Sequence, residues 1–211
     1  MKKNVQHVRA VSFDLDGTLA VAGWRAFTLL PSLLKDGRVL HALLRSVAAH
    51  RGQRSRELDS ALIADVVSHT GASPQQVRRV LETILDGQYA RIQRSAPAAP
   101  GVLSLMSTCD QLSIPRVIFS DHPVLEKLRG ALHESGWTAV ICARHLGALK
   151  PCPDGLWCAA SILGVPASKI LHVGDRWETD GLAAAAAGAQ FAHVMEAEWW
   201  QRVLQGYRGE I

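Results

Sequence analysis

The chain has 211 residues, of which 48% are hydrophobic and 20% charged, and its net charge is +4. These values predict a soluble globular protein with one core domain and room for a small insert. The charge is too small to indicate a nucleic-acid partner, and the longest uncharged apolar-rich run, Gly181 to Val194, is too short to span a membrane. The N-terminus lacks the apolar segment of a signal peptide and the four cysteines form no C-x-x-C pair, so we expect reduced thiols and a cytoplasmic location.

The first predicted strand covers residues 8–14 and ends in a group of polar residues. Asp14 and Asp16 lie at its C-terminal end, where open α/β sheets bind their ligands. Gly17 permits a tight turn that brings backbone N–H groups close to an anion. Two neighbouring carboxylates repel each other, so a cation between them is favoured, and oxygen ligands suit Mg²⁺. The alternative is an ordinary Asp-Gly turn with solvated carboxylates.

The next part of the chain predicts helices and no alternating strand. Apolar residues recur at helical spacing in four segments, and a Pro-rich stretch at 95–101 ends the last of them. The predicted helices are Trp24–Leu34, Arg38–Ala49, Leu58–Val67 and a helix from the Ser73 cap to about Arg94. Residues 20–97 therefore form a predicted helical insert in a larger domain, and we use that name for them below.

From Gly101 the pattern changes to alternating strands and helices. Such repeated units predict an α/β fold with a parallel sheet covered by helices on both faces, and the first strand joins it to make five strands. Asp121 is placed to cap the second helix of this part. The predicted strands are 115–120, 138–142, 170–174 and 189–194, and the predicted helices are 102–108, 123–135, 154–163 and 179–187.

Three further polar signals fall close to the ends of these strands. Ser120 ends one strand, Lys150 lies in a loop before a helix, and Asp175 ends another strand with Asp180 five residues later. Each signal alone is typical of a cap, a loop or a turn. Because the carboxyl ends of parallel strands meet at one edge of a sheet, their joint occurrence after Asp14 predicts one shared site.

These motifs together resemble those of the haloacid dehalogenase superfamily of hydrolases. The four motifs of that family match Asp14-Leu15-Asp16-Gly17-Thr18, Ser120, Lys150 and Gly174-Asp175 with Asp180. The resemblance extends over nearly the whole chain and is to the phosphatase-type, phosphoglycolate phosphatase-like members. It implies a Rossmann-like sheet as the core, formed by residues 1–19 and 98–211, and a helical (C1-type) cap formed by residues 20–97.

The resemblance also implies the roles of the two aspartates of the first motif. Asp14 would be the nucleophile that forms an aspartyl-phosphate, and Asp16 would be the general acid and base. Mg²⁺ would be held by the Asp14 carboxylate, the backbone carbonyl of Asp16 and the Asp175 carboxylate, and it would neutralise the charge that keeps an anionic nucleophile from an anionic phosphate.

The remaining motif residues would bind phosphate or support the residues that do. Ser120, the N–H groups of Asp121 and Gly17, and Thr18 of the first motif would hold phosphate oxygens. Lys150 would balance the charge on the phosphate and on the nucleophile. The acidic Asp180 would orient that lysine or a metal-bound water.

Asp16 also separates the reactions that this family resemblance allows. Dehalogenation needs no acid at that position, so its presence favours phosphate chemistry on a small phosphorylated metabolite. Phosphonate cleavage would need a lysine in the helical insert, where Lys35 stands alone. A phosphomutase keeps the same acid, and a non-catalytic binding protein on this fold is the third alternative.

The helical insert is the basic part of the chain. It holds eleven lysines and arginines against six acidic residues, which favours a substrate with a second anionic group. Arg25, near the start of the insert, and His145, in the loop before Lys150, are the weaker candidates for contacts with it. His122 is expected to lie exposed in its loop. Oligomeric state cannot be read from the sequence.

Overall fold

The computed structural model describes residues 7–23, 29–128 and 136–206. Its centre is a five-stranded sheet in which all strands run parallel, in the order β3-β2-β1-β4-β5. The chain adds strands first on one side of β1 and then on the other, so β1 lies at the point where open α/β sheets bind ligands. The strands are β1 (Ala10–Phe13), β2 (Arg116–Ser120), β3 (Trp137–Cys142), β4 (Ile170–Gly174) and β5 (Gln190–His193).

The two faces of the sheet carry separate hydrophobic clusters because successive strand residues point to opposite sides. On β2, Val117 and Phe119 join the first cluster and Ile118 joins the second. The first cluster also contains buried side chains of the helical insert, so the insert packs as a continuation of this face of the core. The second contains Trp200, whose ring lies edge-on to that of Trp199.

The helices of the insert are α1 (Leu30–Ala49), α2 (Leu58–Thr70), α3 (Pro74–Val80), a π-helical segment (Leu81–Tyr89) and α4 (Ala90–Arg94). The last three follow one another without a break, which agrees with the helix predicted from the Ser73 cap to Arg94; the Ser73 side chain accepts the N–H of Gln76. Two predicted helices are instead one, α1, because the chain passes through Asp36 with only a kink. Residues 24–28 of the first prediction lie outside the described residues.

The other helices include the four that the alternation predicts and one further helix after the last strand. They are α5 (Val102–Gln111), α6 (Leu125–Leu128), α7 (Asp154–Leu163), α8 (Leu182–Ala187) and α9 (Ala197–Gly206). Of the helix predicted over 123–135, the described residues contain only α6, and residues 129–135 lie outside them. All five strand predictions are confirmed within two residues at each end. Among the described helices, none combines the length and the hydropathy needed to cross a bilayer.

Candidate active site

Three charged side chains meet at the carboxyl ends of the central strands. Asp14 follows β1, and its Oδ1 accepts a hydrogen bond from Lys150 Nζ at 2.5 Å. The same nitrogen donates to Asp180 Oδ1 at 2.6 Å, and all three side chains are at least 95% buried. Behind them, the His172 ring lies between Asp180 and the Ser12 hydroxyl, which fixes the far side of the cluster. The predicted contact of Asp180 with the lysine is thus present in the structure.

This cluster holds more negative charge than its lysine can balance. Carboxylate oxygens of Asp14, Asp175 and Asp180 lie within 4.8 Å of one another. Burial raises the pKa of Asp14 against the attraction of Lys150. Burial alone would also raise the pKa of Asp180, but Lys150 and His172 hold it well below its usual range. Lys150 therefore stabilises the ionised form of Asp180 more than that of Asp14. The remaining negative charge favours a further cation in this cluster.

The carboxylate of Asp175 has the surroundings expected of a cation ligand. Its Oδ1 is buried and accepts no hydrogen bond within the described residues, and Arg176 Nε lies 3.7 Å away. A side chain at position 17 would leave no room for it, since a Cβ on Gly17 would meet Asp175 Oδ2 at 2.2 Å. Three carboxylates with an unsatisfied buried oxygen fit a hard divalent cation.

Asp16 has a different environment from Asp14. Both of its oxygens accept hydrogen bonds from Lys127 Nζ, at 2.6 and 2.8 Å, and Gln93 Nε2 donates to Oδ1 at 2.6 Å. The ammonium also lies 5.3 Å from the centre of the Tyr89 ring. Burial alone would raise the pKa of Asp16, but Lys127 holds it below its usual value. Neither Lys127, from α6, nor Gln93, from α4, is among the site residues predicted from the sequence.

Asp121 joins the helical insert to the loop that carries the buried lysine. Its Oδ1 accepts the backbone N–H of Lys150 at 2.9 Å, and its Oδ2 accepts from Arg51 of the insert at 2.6 Å. The prediction that this side chain caps the following helix is therefore wrong, because both oxygens are used by other partners. Pairing with Arg51 also removes the charge conflict that a carboxylate would create beside a phosphate.

A cavity of about 480 Å³ lies between the sheet and the helical insert. The core side presents acidic and basic groups, and the insert presents mainly aliphatic side chains. Its size falls in the usual range of about 300–1,000 Å³ for small-molecule sites. The lining residues from the core are Asp14, Asp16, Asp121, His122, Lys150 and Arg176, and those from the insert are Leu29, Leu40, Leu44, Val47, Ala48, Arg51, Ile84, Leu85 and Tyr89.

The structure supports less clearly the other groups that are predicted to bind phosphate. The Gly17 N–H donates to the Ala20 carbonyl at 2.9 Å, so the structure commits it to a turn rather than to a phosphate oxygen. Ser120 ends β2 fully buried, and its Oγ accepts the N–H of His122. The Thr18 hydroxyl is buried and has no hydrogen-bond partner among the described residues. Phosphate binding by the Ser120 and Thr18 hydroxyls stays a prediction.

The weaker candidates fall away from the cavity or outside the described chain. His145 is exposed and is not one of the residues that line the cavity. Arg25 lies outside the described residues. Lys35 is exposed beside a separate surface depression that Asp36 and Thr70 also line, which gives the phosphonate reading no support.

His122, expected to be exposed, instead lines the cavity and is partly buried. Burial and the charge of Lys127 lower its pKa to about 4. Its usual value is about 6.5. Between these values the unfolded chain binds a proton that the folded chain does not, so stability falls as the pH drops from about 6.5 towards 4.

We expect this residue to contribute a loss of roughly 1–2 kcal/mol in unfolding free energy between pH 7 and pH 5. Urea unfolding of the wild type and of His122→Asn at both pH values measures it, since the variant should lose less stability on acidification. His41→Asn, at an exposed position of α1, serves as the matched control and should keep the wild-type difference. An equal pH dependence in wild type and His122→Asn would contradict the assignment.

The fold and the site define the chain as an α/β protein with a carboxylate centre at the switch point of its sheet. The family model of haloacid dehalogenase-like hydrolases matches residues 8–188. The chain therefore belongs to this family of enzymes, and the family predicted from the motifs is confirmed.

The individual proteins that the chain resembles share less than a third of its residues. The chain is 28% identical over 188 residues to a phosphoglycolate phosphatase of Pseudomonas savastanoi pv. phaseolicola, in a match that covers 85% of this chain and 66% of that relative. It is 30% identical over 188 residues to a phosphoglycolate phosphatase of Xanthomonas campestris pv. campestris, covering 85% and 80%. The chain thus spans 66% of the length of the Pseudomonas relative.

Solved structures agree on the fold. A 2-haloacid dehalogenase from Pseudomonas syringae pv. Tomato DC3000 superposes with a TM-score of 0.61 at 18% identity, covering 95% of this chain and 99% of that one. A HAD phosphatase from Thermococcus onnurineus gives a TM-score of 0.59 at 18% identity, covering 87% and 85%. At this identity the likeness shows the shared fold alone.

Proposed function

We propose that the protein is a Mg²⁺-dependent phosphatase that hydrolyses a small phosphorylated metabolite through an aspartyl-phosphate on Asp14. The observation that carries the proposal is the placement of Asp14 and Asp16 on one cavity with opposite environments. Asp14 lies in the cation-deficient cluster, whereas Asp16 has its own cation, Lys127. The names of the Pseudomonas and Xanthomonas relatives support the same reaction class.

In this proposal Asp14 supplies the nucleophilic oxygen. Lys150 holds its carboxylate in place and Asp180 orients the lysine, which also compensates the charge of the approaching phosphate. A divalent cation held by Asp14, Asp175 and the Asp16 carbonyl supplies the remaining positive charge when bound. Ser120 would hold a phosphate oxygen through its hydroxyl and Asp121 through its backbone N–H.

Asp16 transfers protons in both halves of the proposed reaction. Lys127 lowers the pKa of this carboxyl in the free protein, and the negative charge of a bound phosphate would raise that pKa again, so that Asp16 can carry a proton. It then protonates the leaving oxygen as the ester bond breaks, and it removes a proton from the water that hydrolyses the Asp14 acyl-phosphate. Lys127 and Gln93 keep both oxygens of this carboxylate in a fixed direction. They act as positioning residues. Residues 20–97, the helical insert, would act as the cap that excludes water from the cavity.

Removal of divalent cations tests the proposal. We expect phosphate release from a phosphomonoester panel to stop after treatment with EDTA and to return when Mg²⁺ is added. Because a ligand bound only by the folded state stabilises it, Mg²⁺ should also raise the melting temperature by several degrees. Asp175→Asn should lose that shift, and Asp65→Asn, at an acidic position of α2 outside the cluster, should keep it. Full activity in EDTA would refute the metal requirement.

The same assay separates the alternatives. A phosphomutase would convert a sugar phosphate into its isomer without net release of phosphate, so mass balance distinguishes it from a phosphatase. A non-catalytic binding protein would release no phosphate from any ester of the panel in the presence of Mg²⁺.

A further inference from the structure

We infer that the substrate is the phosphate monoester of an apolar alcohol, with an alkyl or aryl group that lies against the helical insert. This inference rests on the proposed phosphatase function and names its substrate class. It replaces the expectation that the basic insert binds a second anionic group.

Most of the residues in the cavity wall opposite the carboxylates are apolar. Leu40, Leu44, Val47 and Ala48 lie on one face of α1, at the spacing that places them side by side along a helix. Ile84 and Leu85, from the π-helical segment, continue this wall, and Leu29 extends it. Of the nine insert residues that line the cavity, seven are therefore aliphatic. A second charged group here would lose its hydration without gaining a partner.

Two cationic groups of the cavity, Lys150 and Arg51, already have close partners. Lys150 binds Asp14 and Asp180, and Arg51 binds Asp121 at 2.6 Å. Arg176 lies beside Asp175 at the end of the cavity where the phosphate would bind. Such contacts also account for two of the eleven basic residues of the insert: Arg51 and Arg54 form ion pairs with core aspartates, the latter with Asp154. The charge of these two arginines attaches the insert to the core.

One wall residue is exposed in a way that favours an apolar ligand. Leu44 retains 49% of its surface exposed although it lines the cavity. An aliphatic substituent of the substrate would cover this surface, and burial of apolar area strengthens binding in proportion to the area removed from water. A substrate as small as phosphoglycolate, which carries a carboxylate besides its phosphate, would leave the Leu44 side chain in contact with water.

A chain-length series tests the inference. With Mg²⁺ present, kcat/KM for ethyl, butyl, hexyl and octyl phosphate should rise about fourfold per added methylene until the cavity is filled. Phosphoglycolate should be a poorer substrate than butyl phosphate. A flat or falling series, or a preference for phosphoglycolate, would overturn the inference.

Two leucine variants of the same helix locate the effect. Leu44→Ser should reduce the ratio of kcat/KM for octyl phosphate to that for ethyl phosphate by about tenfold. Leu34→Ser is the matched control, because Leu34 is 86% exposed and is not among the residues that line the cavity. It should leave the ratio as in the wild type. Equal ratios in the two variants would contradict the position assigned to the alkyl group.

A binding measurement keeps this inference separate from the proposed activity. Calorimetry with hexylphosphonate and with phosphonoacetate, neither of which is an ester, needs no turnover. Tighter binding of hexylphosphonate supports the apolar wall even if no ester is hydrolysed, in which case the phosphatase proposal alone fails. Tighter binding of phosphonoacetate refutes the apolar substrate even if phosphate release is observed.

Discussion

Replacement of Asp14 by Asn is expected to reduce kcat for phosphate release by at least about 10⁴-fold, the scale seen when a catalytic nucleophile is removed. An amide is a poor nucleophile and carries no charge to pair with Lys150, whose Nζ contacts the Asp14 carboxylate directly. Phosphate release with Mg²⁺ and the preferred ester measures the loss. Mass spectrometry of acid-quenched enzyme should find a phosphorylated Asp14 peptide in the wild type and none in the variant.

The control for this substitution is Asp65→Asn. Asp65 belongs to α2 of the helical insert, outside the cavity, so the variant makes the same chemical change without touching the site. It should retain wild-type activity. Melting curves of both variants show whether the fold is intact. Asp14→Asn protein that is folded and still turns over ester at a rate near the wild type would eliminate Asp14 as the nucleophile.

Replacement of Lys127 by Met is expected to lower kcat about 10²-fold, the order of effect of misplacing a group used in proton transfer. Because Lys127 holds the pKa of Asp16 below its usual value, its removal should raise that pKa. A reaction that needs the protonated acid declines above the pKa of that acid, so the alkaline limb of the kcat/KM profile should move to higher pH. Measuring kcat/KM across the pH range in wild type and variant tests this.

Two further variants show whether the charge at position 127 causes the shift. Lys127→Arg keeps the charge and should leave the alkaline limb near its wild-type position, even if activity falls. Lys35→Met removes an exposed lysine of the insert that does not line the cavity, and it should change neither kcat nor the profile. A lower kcat in Lys127→Met with an unchanged profile would mean that Lys127 has a structural role only.

The parts of this site that the sequence could predict are those tied to strand ends. Asp14, Lys150 and Asp175 stand next to predicted strands or in loops with a marked composition, and parallel strands bring their carboxyl ends to one edge. Their convergence required only the sheet topology. The helical insert was predictable as helix for a different reason: its apolar residues recur at the helical period over long segments.

Contacts between distant helices could not be predicted in that way. Lys127 is the clearest case: it is buried together with Leu128 of the same helix and with Val124 just before it, and a buried lysine requires a partner. That position is a usable signal, but nothing in the sequence identifies Asp16, 111 residues away, as the partner. Likewise, counting charges in the insert could not show that Arg51 and Arg54 bind core aspartates.

Asp121 connects two events of a catalytic cycle that are usually considered separately. One of its oxygens accepts the backbone N–H of Lys150 and the other accepts from Arg51, so a single carboxylate joins the helical insert to the loop that carries the lysine. If the Arg51–Asp121 ion pair separated to release product, the support of Lys150 would loosen at the same time. In the proposed phosphatase, Lys150 would thus be fully supported only while the helical insert is bound to the core through Asp121, which would limit wasteful reaction of the Asp14 carboxylate or its acyl-phosphate with bulk solutes between turnovers.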